Sequence, residues 1–389
     1  MSAEHARIRV GVNALFMIPG EVGGTETYLR RTLAAVAEHH PEVELVVFTN
    51  RENDLTIRDD LCVYEQVHFR FVAVRAANRY ARIMAEQTSL PAAARRERID
   101  VLWSLGYTAP LLSPCAQVVT IHDMQYKTHP EDLAPHYRFV TDILVRAAAR
   151  RAVRIIAISE FGKSEIARYT AAPAGRIDVT HLAADASYAE PLTAEQRRAA
   201  LRDLPPVGER YILCVSNTYP HKNVHALVEA YGLLAGAIPH RLVLVGKPRL
   251  GEPRLRAALA ELPDDGRFVR LERTSANQLR ALYQGADVFV FPSLYEGFGL
   301  PVLEAMTAGV PVVAARRAAI PEAGGDEIVY FDPGRDGDMA EKIREVLRWT
   351  PEKRAELTGR AAARARMFTW RETADRTVAI LKRALETAC

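Results

Sequence analysis

Cysteine is scarce: Cys62, Cys115, Cys214 and Cys389 are all that 389 residues contain, and they have neither metal-ligand spacing nor the pattern of a secreted disulfide framework. They read as ordinary reduced thiols. Long apolar runs are missing too. No window is long enough to span a bilayer, and Met1 to Arg9 is polar where a secretory leader needs an apolar centre, so a cytoplasmic protein is expected. Nor does one charge dominate. Lys and Arg number 51 against 48 Asp and Glu, a formal net charge of +3, which is too small to imply a nucleic-acid partner. Arginines do crowd between Arg70 and Arg98 and between Arg146 and Arg154. Most such runs are solvated helix faces; the sharper reading is a peripheral dock for an anionic membrane surface. Low-complexity segments and short-period repeats are absent, and no convincing Asp-x-Asp-type metal site stands in a suitable loop.

What remains is an ordinary globular composition, 49% hydrophobic and 25% charged, over a length sufficient for two domains with separate cores. Short β-rich runs alternate with helical patterns through the first half: Ile8 to Leu15, Leu45 to Thr49, Phe69 to Val74, Val101 to Ser104, Val118 to Ile121 and Ile155 to Ile158, with helices such as Thr27 to Glu38 between them. Polar, alanine-rich and proline-punctuated sequence follows from Ala183 to Gly208, with a short helix expected at Ala194 to Leu201. The pattern restarts with Tyr211 to Val215, Leu242 to Val245, Phe268 to Leu271, Val288 to Phe291, Val312 to Ala314 and Ile328 to Phe331. This order predicts an α/β protein with two Rossmann-like domains of parallel sheet, 1–185 and 209–365, a linker at 186–208, and a helical tail ending in 366–389. Open parallel sheets bind ligands beyond the carboxyl ends of their strands, so the active site is expected in the cleft between the domains.

The most informative stretch is Ser293-Leu294-Tyr295-Glu296-Gly297-Phe298-Gly299-Leu300-Pro301-Val302-Leu303-Glu304. It follows a strand-like run stopped by Pro292. Pro301 suits the first helical position, and Gly309 with Pro311 ends the helix, which predicts a helix over 301–308 whose N-terminus faces the loop. Free N–H groups there, with about half a positive charge from the helix dipole, favour an anion, and Gly297 and Gly299 let phosphates approach closely. Glu304 would repel phosphate but accept hydrogen bonds from vicinal hydroxyls, which assigns it to a ribose and leaves Glu296 to face a transferred sugar. The combination suits a sugar nucleotide.

The Glu-x7-Glu spacing, followed by Ala305-Met306-Thr307-Ala308-Gly309-Val310-Pro311-Val312-Val313-Ala314, resembles the donor-site signature of retaining glycosyltransferases of family GT4, which have the GT-B fold. The resemblance extends over nearly the whole chain and is closest to mannosyltransferase-like members. It implies transfer of a hexose, with retention, from a nucleoside diphosphate to a hydroxyl of a glycan, lipid-linked or small-molecule acceptor. The donor substrate would be GDP-mannose or a UDP-sugar, with mannose favoured, and neither a cofactor nor a metal is implied. The N-terminal domain would bind the acceptor and the C-terminal domain the nucleotide sugar, with the last helix crossing back to the N-terminal domain near Phe368-Thr369-Trp370. The family's usual mechanism is front-face attack in which the departing phosphate oxygen takes the acceptor proton, so no protein base is needed.

Four further segments bear on the site. Gly20 to Tyr28 follows the first strand and opens a helix; Gly23 and Gly24 match the family's glycine loop at the reaction centre, and Thr25 can cap the helix. Its spacing is not the G-x-G-x-x-G of a dinucleotide fold, and the second strand ends on Thr49-Asn50 without an acidic ribose ligand. Ile121-His122-Asp123 ends an apolar run. Such a pair often satisfies only its own hydrogen bonds, but the resemblance sets His122 near a donor-sugar hydroxyl, with Asp123 beside it. Ser159 and Glu160 resemble a cleft-lining segment, although Ser159 also suits a helix N-cap and Glu160 its first turn.

Asn217-Thr218-Tyr219-Pro220-His221-Lys222-Asn223 is the fourth, and there Lys222 can stabilise the departing diphosphate. The family commonly pairs Arg with Lys here, whereas this chain has His221 or Asn217 at the Arg positions; Lys247 or Arg249 could supply the missing charge. The donor site is thus expected to comprise Asn217, His221, Lys222, Glu296, Gly297, Phe298, Gly299, Leu300 and Glu304, with Gly23, Gly24 and His122 from the first domain. The alternatives are a nucleotide-sugar epimerase of the same shape, a phosphorylase, and a catalytically silent donor-binding partner subunit.

Overall fold

Buried on both faces by crossover helices, the strands of an all-parallel sheet read as near-continuous apolar runs, and both halves of this chain are built that way. The computed structural model describes residues 7–388 except Asp264, so Cys389 and Met1 to Ala6 lie outside the described residues. Two compact units are formed: one from the chain up to Thr128 with Ala134–Leu182 and the chain from Thr369 onward, the other from His129–Leu133 with Ala183–Phe368.

The first unit contains β1 (Ile8–Asn13), β2 (Val43–Thr49), β3 (Val67–Phe71), β4 (Val101–Ser104), β5 (Ala116–Ile121), β6 (Arg154–Ala157) and β7 (Ile177–Val179). They form one parallel sheet in the order β3-β2-β1-β4-β5-β6-β7, with β1 setting Val10 against Leu45 on one side and Val101 on the other. β1 ends two residues earlier than expected because the Asn13 side chain accepts the Leu15 N–H and turns the chain. β7 was not foreseen. It is only three residues long with an acid at its centre, and Asp178 is held there by Arg154 in a bidentate pair at 2.8 Å. Leu15, Val46, Phe48, Leu90 and Leu102 form part of a fully enclosed apolar cluster beside the sheet. The last helix, Trp370–Ala388, packs along the helix Gly24–His39, pinned by His40 to Asp375 at 2.8 Å and Lys382 to Glu42 at 2.9 Å.

The second unit contains β8 (Tyr211–Val215), β9 (Arg241–Val245), β10 (Phe268–Leu271), β11 (Val288–Phe291), β12 (Val312–Ala315) and β13 (Val329–Phe331) in the parallel order β10-β9-β8-β11-β12-β13. In both sheets the strand order therefore reverses beside the first strand, between β1 and β4 and between β8 and β11, which is where doubly wound folds bind ligands. The 186–208 stretch is ordered within this unit. A capping box of Thr193 and Gln196 starts the helix Ala194–Leu201, and Gln284 holds the preceding turn through the Tyr188 and Glu190 carbonyls and the Leu192 N–H. Cys62, Cys115 and Cys214 are free thiols, and burial pushes Cys214 up to about 12. Among the described residues no helix is long and apolar enough to cross a membrane.

Candidate functional site

In the second unit the site grows from the carboxyl ends of β8 and β11. The loop after β8 reaches the loop after β11 through the Leu294 N–H, which donates to the His221 carbonyl at 2.8 Å. This fixes Lys222 against Glu296, with Nζ 2.7 Å from Oε1 and both side chains mostly covered. The sequence assigned these two residues to different parts of one ligand; the structure pairs them.

Gly299 then turns the chain with φ 107°, a conformation costly for any residue with a Cβ, and the helix Leu300–Thr307 follows with Pro301 in its first turn. It stops as the glycine predicts: the Gly309 N–H donates to Met306 and the Val310 N–H to Ala305, the paired bonds of a Schellman motif. The Phe298 ring is buried edge-on against Phe368, at 5.5 Å between ring centres.

Glu304, in this helix, accepts a hydrogen bond at 2.8 Å from the Tyr283 hydroxyl. Burial raises its carboxyl to about 7; the Tyr283 bond opposes that shift and the nearby Asp185 adds to it. Asn217 spends its side-chain Oδ1 on the Lys247 N–H at 2.8 Å, and the Arg249 N–H reaches the Thr218 hydroxyl at 2.8 Å, so the loop after β9 is laced to the loop after β8. That lacing sets Lys247 and Arg249 beside the loop that carries Lys222.

His221 is committed within its own unit. Its Nδ1 donates to Asp132 at 2.6 Å, with both side chains almost fully buried, and the ring lies over Tyr219 and near His129. Burial lowers its pKa and Asp132 opposes that shift without reversing it, so at neutral pH the ring is uncharged. Neither Asp132 nor Tyr283 was foreseen. Asp132 is 89 residues from His221 in a loop with no motif, and Tyr283 sits on an apolar helix face that reads as core.

In the first unit, Gly23 precedes the helix Gly24–His39 with φ 53°, and a Cβ on either Gly23 or Gly24 would meet nothing, so this turn is open to an approaching group. Thr25 does not cap: it lies inside the helix, whose N-cap is Gly23, and Glu26 instead takes the Gly20 N–H at 2.6 Å. His122 follows β5 and is 3% exposed; its Nε2 donates to the Leu105 carbonyl at 2.8 Å, and the ring packs edge-on to Tyr28. Burial lowers its pKa, so it too is neutral. Asp123 is used elsewhere, accepting from the Tyr107 hydroxyl and the Gln125 N–H at 3.0 Å each. Ser159 is the N-cap of Glu160–Thr170, accepting the Gly162 N–H at 2.8 Å, and Glu160 is exposed in its first turn.

With this geometry in hand, comparison with known proteins gives one family. Residues 22–188 match the model described as Glycosyltransferase Family 4, and residues 197–364 the one described as glycosyl transferases group 1. O-antigen chain mannosyltransferase B of Escherichia coli is 32% identical over 270 residues, 67% of this chain and 68% of that protein. The serotype-specific mannosyltransferase WbdA of Escherichia coli is 31% identical over 62% of this chain, a match spanning only 30% of its own length. Among solved structures, HepE of Anabaena in complex with UDP and glucose has a TM-score of 0.73 over 97% of this chain and all of its own, at 20% identity, which speaks for the fold alone. The chain belongs to glycosyltransferase family 4, with the two Rossmann-like sheets of the GT-B fold.

Proposed function

We propose that the protein is a retaining hexosyltransferase that moves mannose from a nucleoside diphosphate, GDP before UDP, to a hydroxyl of a glycan, lipid-linked or small-molecule acceptor. The observation that carries this reading is the Lys222–Glu296 pair at 2.7 Å at the foot of the glycine loop, with Glu304 in the helix that the loop opens. A lone cation would favour any phosphate. A cation already balanced by a carboxylate favours a ligand bringing both phosphate for Lys222 and hydroxyls for Glu296. The two curated relatives named above are mannosyltransferases, and the solved neighbour holds UDP with glucose.

In the proposed reaction Lys222 and the N–H groups opening Leu300–Thr307 take the charge that develops on the leaving diphosphate, Glu304 holds the ribose, and Glu296 orients the sugar. His122, neutral and fixed on Leu105, serves as a hydrogen-bonding partner of a sugar hydroxyl. The acceptor hydroxyl attacks the anomeric carbon on the face the phosphate leaves, its proton passing to the departing phosphate oxygen. Peripheral contact with an anionic membrane belongs to the same reading; Tyr80 and Met84, one turn apart on the helix Arg79–Gln87, are 59% and 61% exposed. Retention on liposomes of acidic lipid at low salt tests that part.

The decisive experiment is a calorimetry and thermal-shift panel of GDP, UDP, ADP and their sugar conjugates. GDP and GDP-mannose are expected to stabilise the protein, by about 2.7 kcal/mol at a hundredfold excess over the dissociation constant. A selective UDP response would reassign the donor, conversion of the donor to an isomer without acceptor would indicate an epimerase, and no response to any nucleotide would overturn the reading.

A further inference from the structure

The carboxyl edge of the first unit's sheet carries a concavity that the donor site does not use. Beyond β2 and β3 a cavity of about 670 Å³ is lined by Arg51, Glu52, Asp54, Leu55, Phe71 and Arg75. Its walls are fastened. Glu52 accepts the Ala76 and Ala77 N–H groups at 2.9 and 3.3 Å, and the Arg51 N–H donates to the Val74 carbonyl at 3.0 Å, tying the loop after β2 to the loop after β3. Beneath them Asn50 and Asn53, both fully buried, donate to the Leu15, Met17 and Ala14 carbonyls at 2.8–3.1 Å, anchoring the same loop to the segment that leads into Gly23 and Gly24.

The charges in this cavity are unequally committed. Glu52 is occupied by two backbone amides, and Asp54 by the Thr49 hydroxyl and by Arg58 at 3.0 Å. Among the described residues the guanidinium groups of Arg51 and Arg75 have no hydrogen-bond or ion-pair partner. Two uncommitted guanidinium forks in one concavity match the oxygens of a phosphate ester. Leu55 and Phe71, 74% and 52% exposed on the same lining, add an apolar platform beside them.

We infer that this cavity binds a phosphate ester with an apolar neighbour: Arg51 and Arg75 take the phosphate, and Leu55 and Phe71 the adjoining carbon skeleton. On the reading that the first unit carries the acceptor, the phosphate belongs to that acceptor, either in the headgroup of a lipid carrier or in a soluble phosphorylated sugar.

The test uses the full-length chain and three probes: octyl phosphate, inorganic phosphate and the neutral octyl glucoside. By calorimetry at low salt, octyl phosphate should bind and octyl glucoside should not, and Arg51→Gln and Arg75→Gln should each weaken octyl phosphate about tenfold, the scale of one charge-assisted contact. If the alkyl chain adds affinity over inorganic phosphate, a lipid carrier is supported; if both phosphates bind alike and both are lost in the double variant, a soluble phosphorylated acceptor is. Equal binding of octyl glucoside, undiminished binding in the double variant, or no binding of either phosphate overturns the inference. Lys222→Ala should keep octyl phosphate binding while losing nucleotide, so this pocket and the donor site fail or stand separately.

Discussion

Tyr283 donates its hydroxyl to Glu304 Oε2 at 2.8 Å from the helix Ala276–Gly285, so the carboxylate assigned to the ribose is held by a neighbouring element rather than left to its own rotamer. Tyr283→Phe should then weaken nucleotide binding about tenfold, one charge-assisted hydrogen bond's worth, and Glu304→Ala should weaken it more. The coupling is the check. In a Glu304→Gln background Tyr283→Phe should have little further effect in calorimetry; a full tenfold loss there would show that Tyr283 acts on its own.

The same carboxyl gives a pH signature. Its pKa is raised by burial to about 7, above the roughly 4.3 of an unfolded glutamate, so between those values the folded state holds the extra proton. That contribution to stability is complete below the unfolded value and is lost as pH rises toward 7. Glu304→Gln should therefore gain on wild type by about 2 kcal/mol between pH 5 and pH 8. Nucleotide affinity should run the other way in wild type, falling below pH 7 as the hydroxyl acceptor is neutralised, and stay flat with pH in Glu304→Gln.

Lys222 and Glu296 neutralise each other, and their variants should separate the two halves of a donor. Lys222→Ala should weaken nucleoside diphosphate and nucleotide sugar alike. Glu296→Gln frees the ammonium, so it should leave the diphosphate bound as tightly or more tightly while reducing the added affinity of the sugar conjugate. Equal losses in both ligands for Glu296→Gln would remove it from the sugar.

His122→Ala should slow transfer at least about tenfold with nucleotide affinity intact, since the ring is fixed by Leu105 for orientation and contributes no charge. Being neutral already, His122 should add no limb to the rate profile between pH 6.5 and 8. Full transfer activity in the variant would leave it a core histidine.

Asp132→Ala removes the acceptor of a buried imidazole N–H and should cost about 1–3 kcal/mol in denaturant unfolding. Asp132→Asn keeps an acceptor and should recover most of it.

Much of this was legible because the relevant signals are local. β11 shows as Val288-Phe289-Val290-Phe291, and the helix after the loop is bracketed by Pro301 and Gly309; both stand within a residue of where punctuation puts them. The short β7 escaped because three residues with a central aspartate carry no period, and its reason for being a strand, Arg154, lies on the strand beside it. The site divides the same way. Glu296 and Glu304 share one loop and helix and are read together, whereas Lys222 and Glu296 are 74 residues apart and are brought together by loops that follow neighbouring strands and are joined by the Leu294–His221 bond. Asp132 and Tyr283 have no residue-type signal at all. Their roles arise from which side chain they meet.

The docking of Trp370–Ala388 on Gly24–His39 also sets an order of assembly. A ribosome delivers this chain from its amino end, and domains generally fold as they emerge. Here the first unit includes the chain from Thr369 onward, so most of its sequence is exposed to solvent long before its last helix is available. The Ala183–Phe368 portion, by contrast, is complete earlier. The half of the molecule made first is therefore the half that finishes last, and a chain truncated near its carboxyl end should lose the amino-terminal unit's stability while sparing the other.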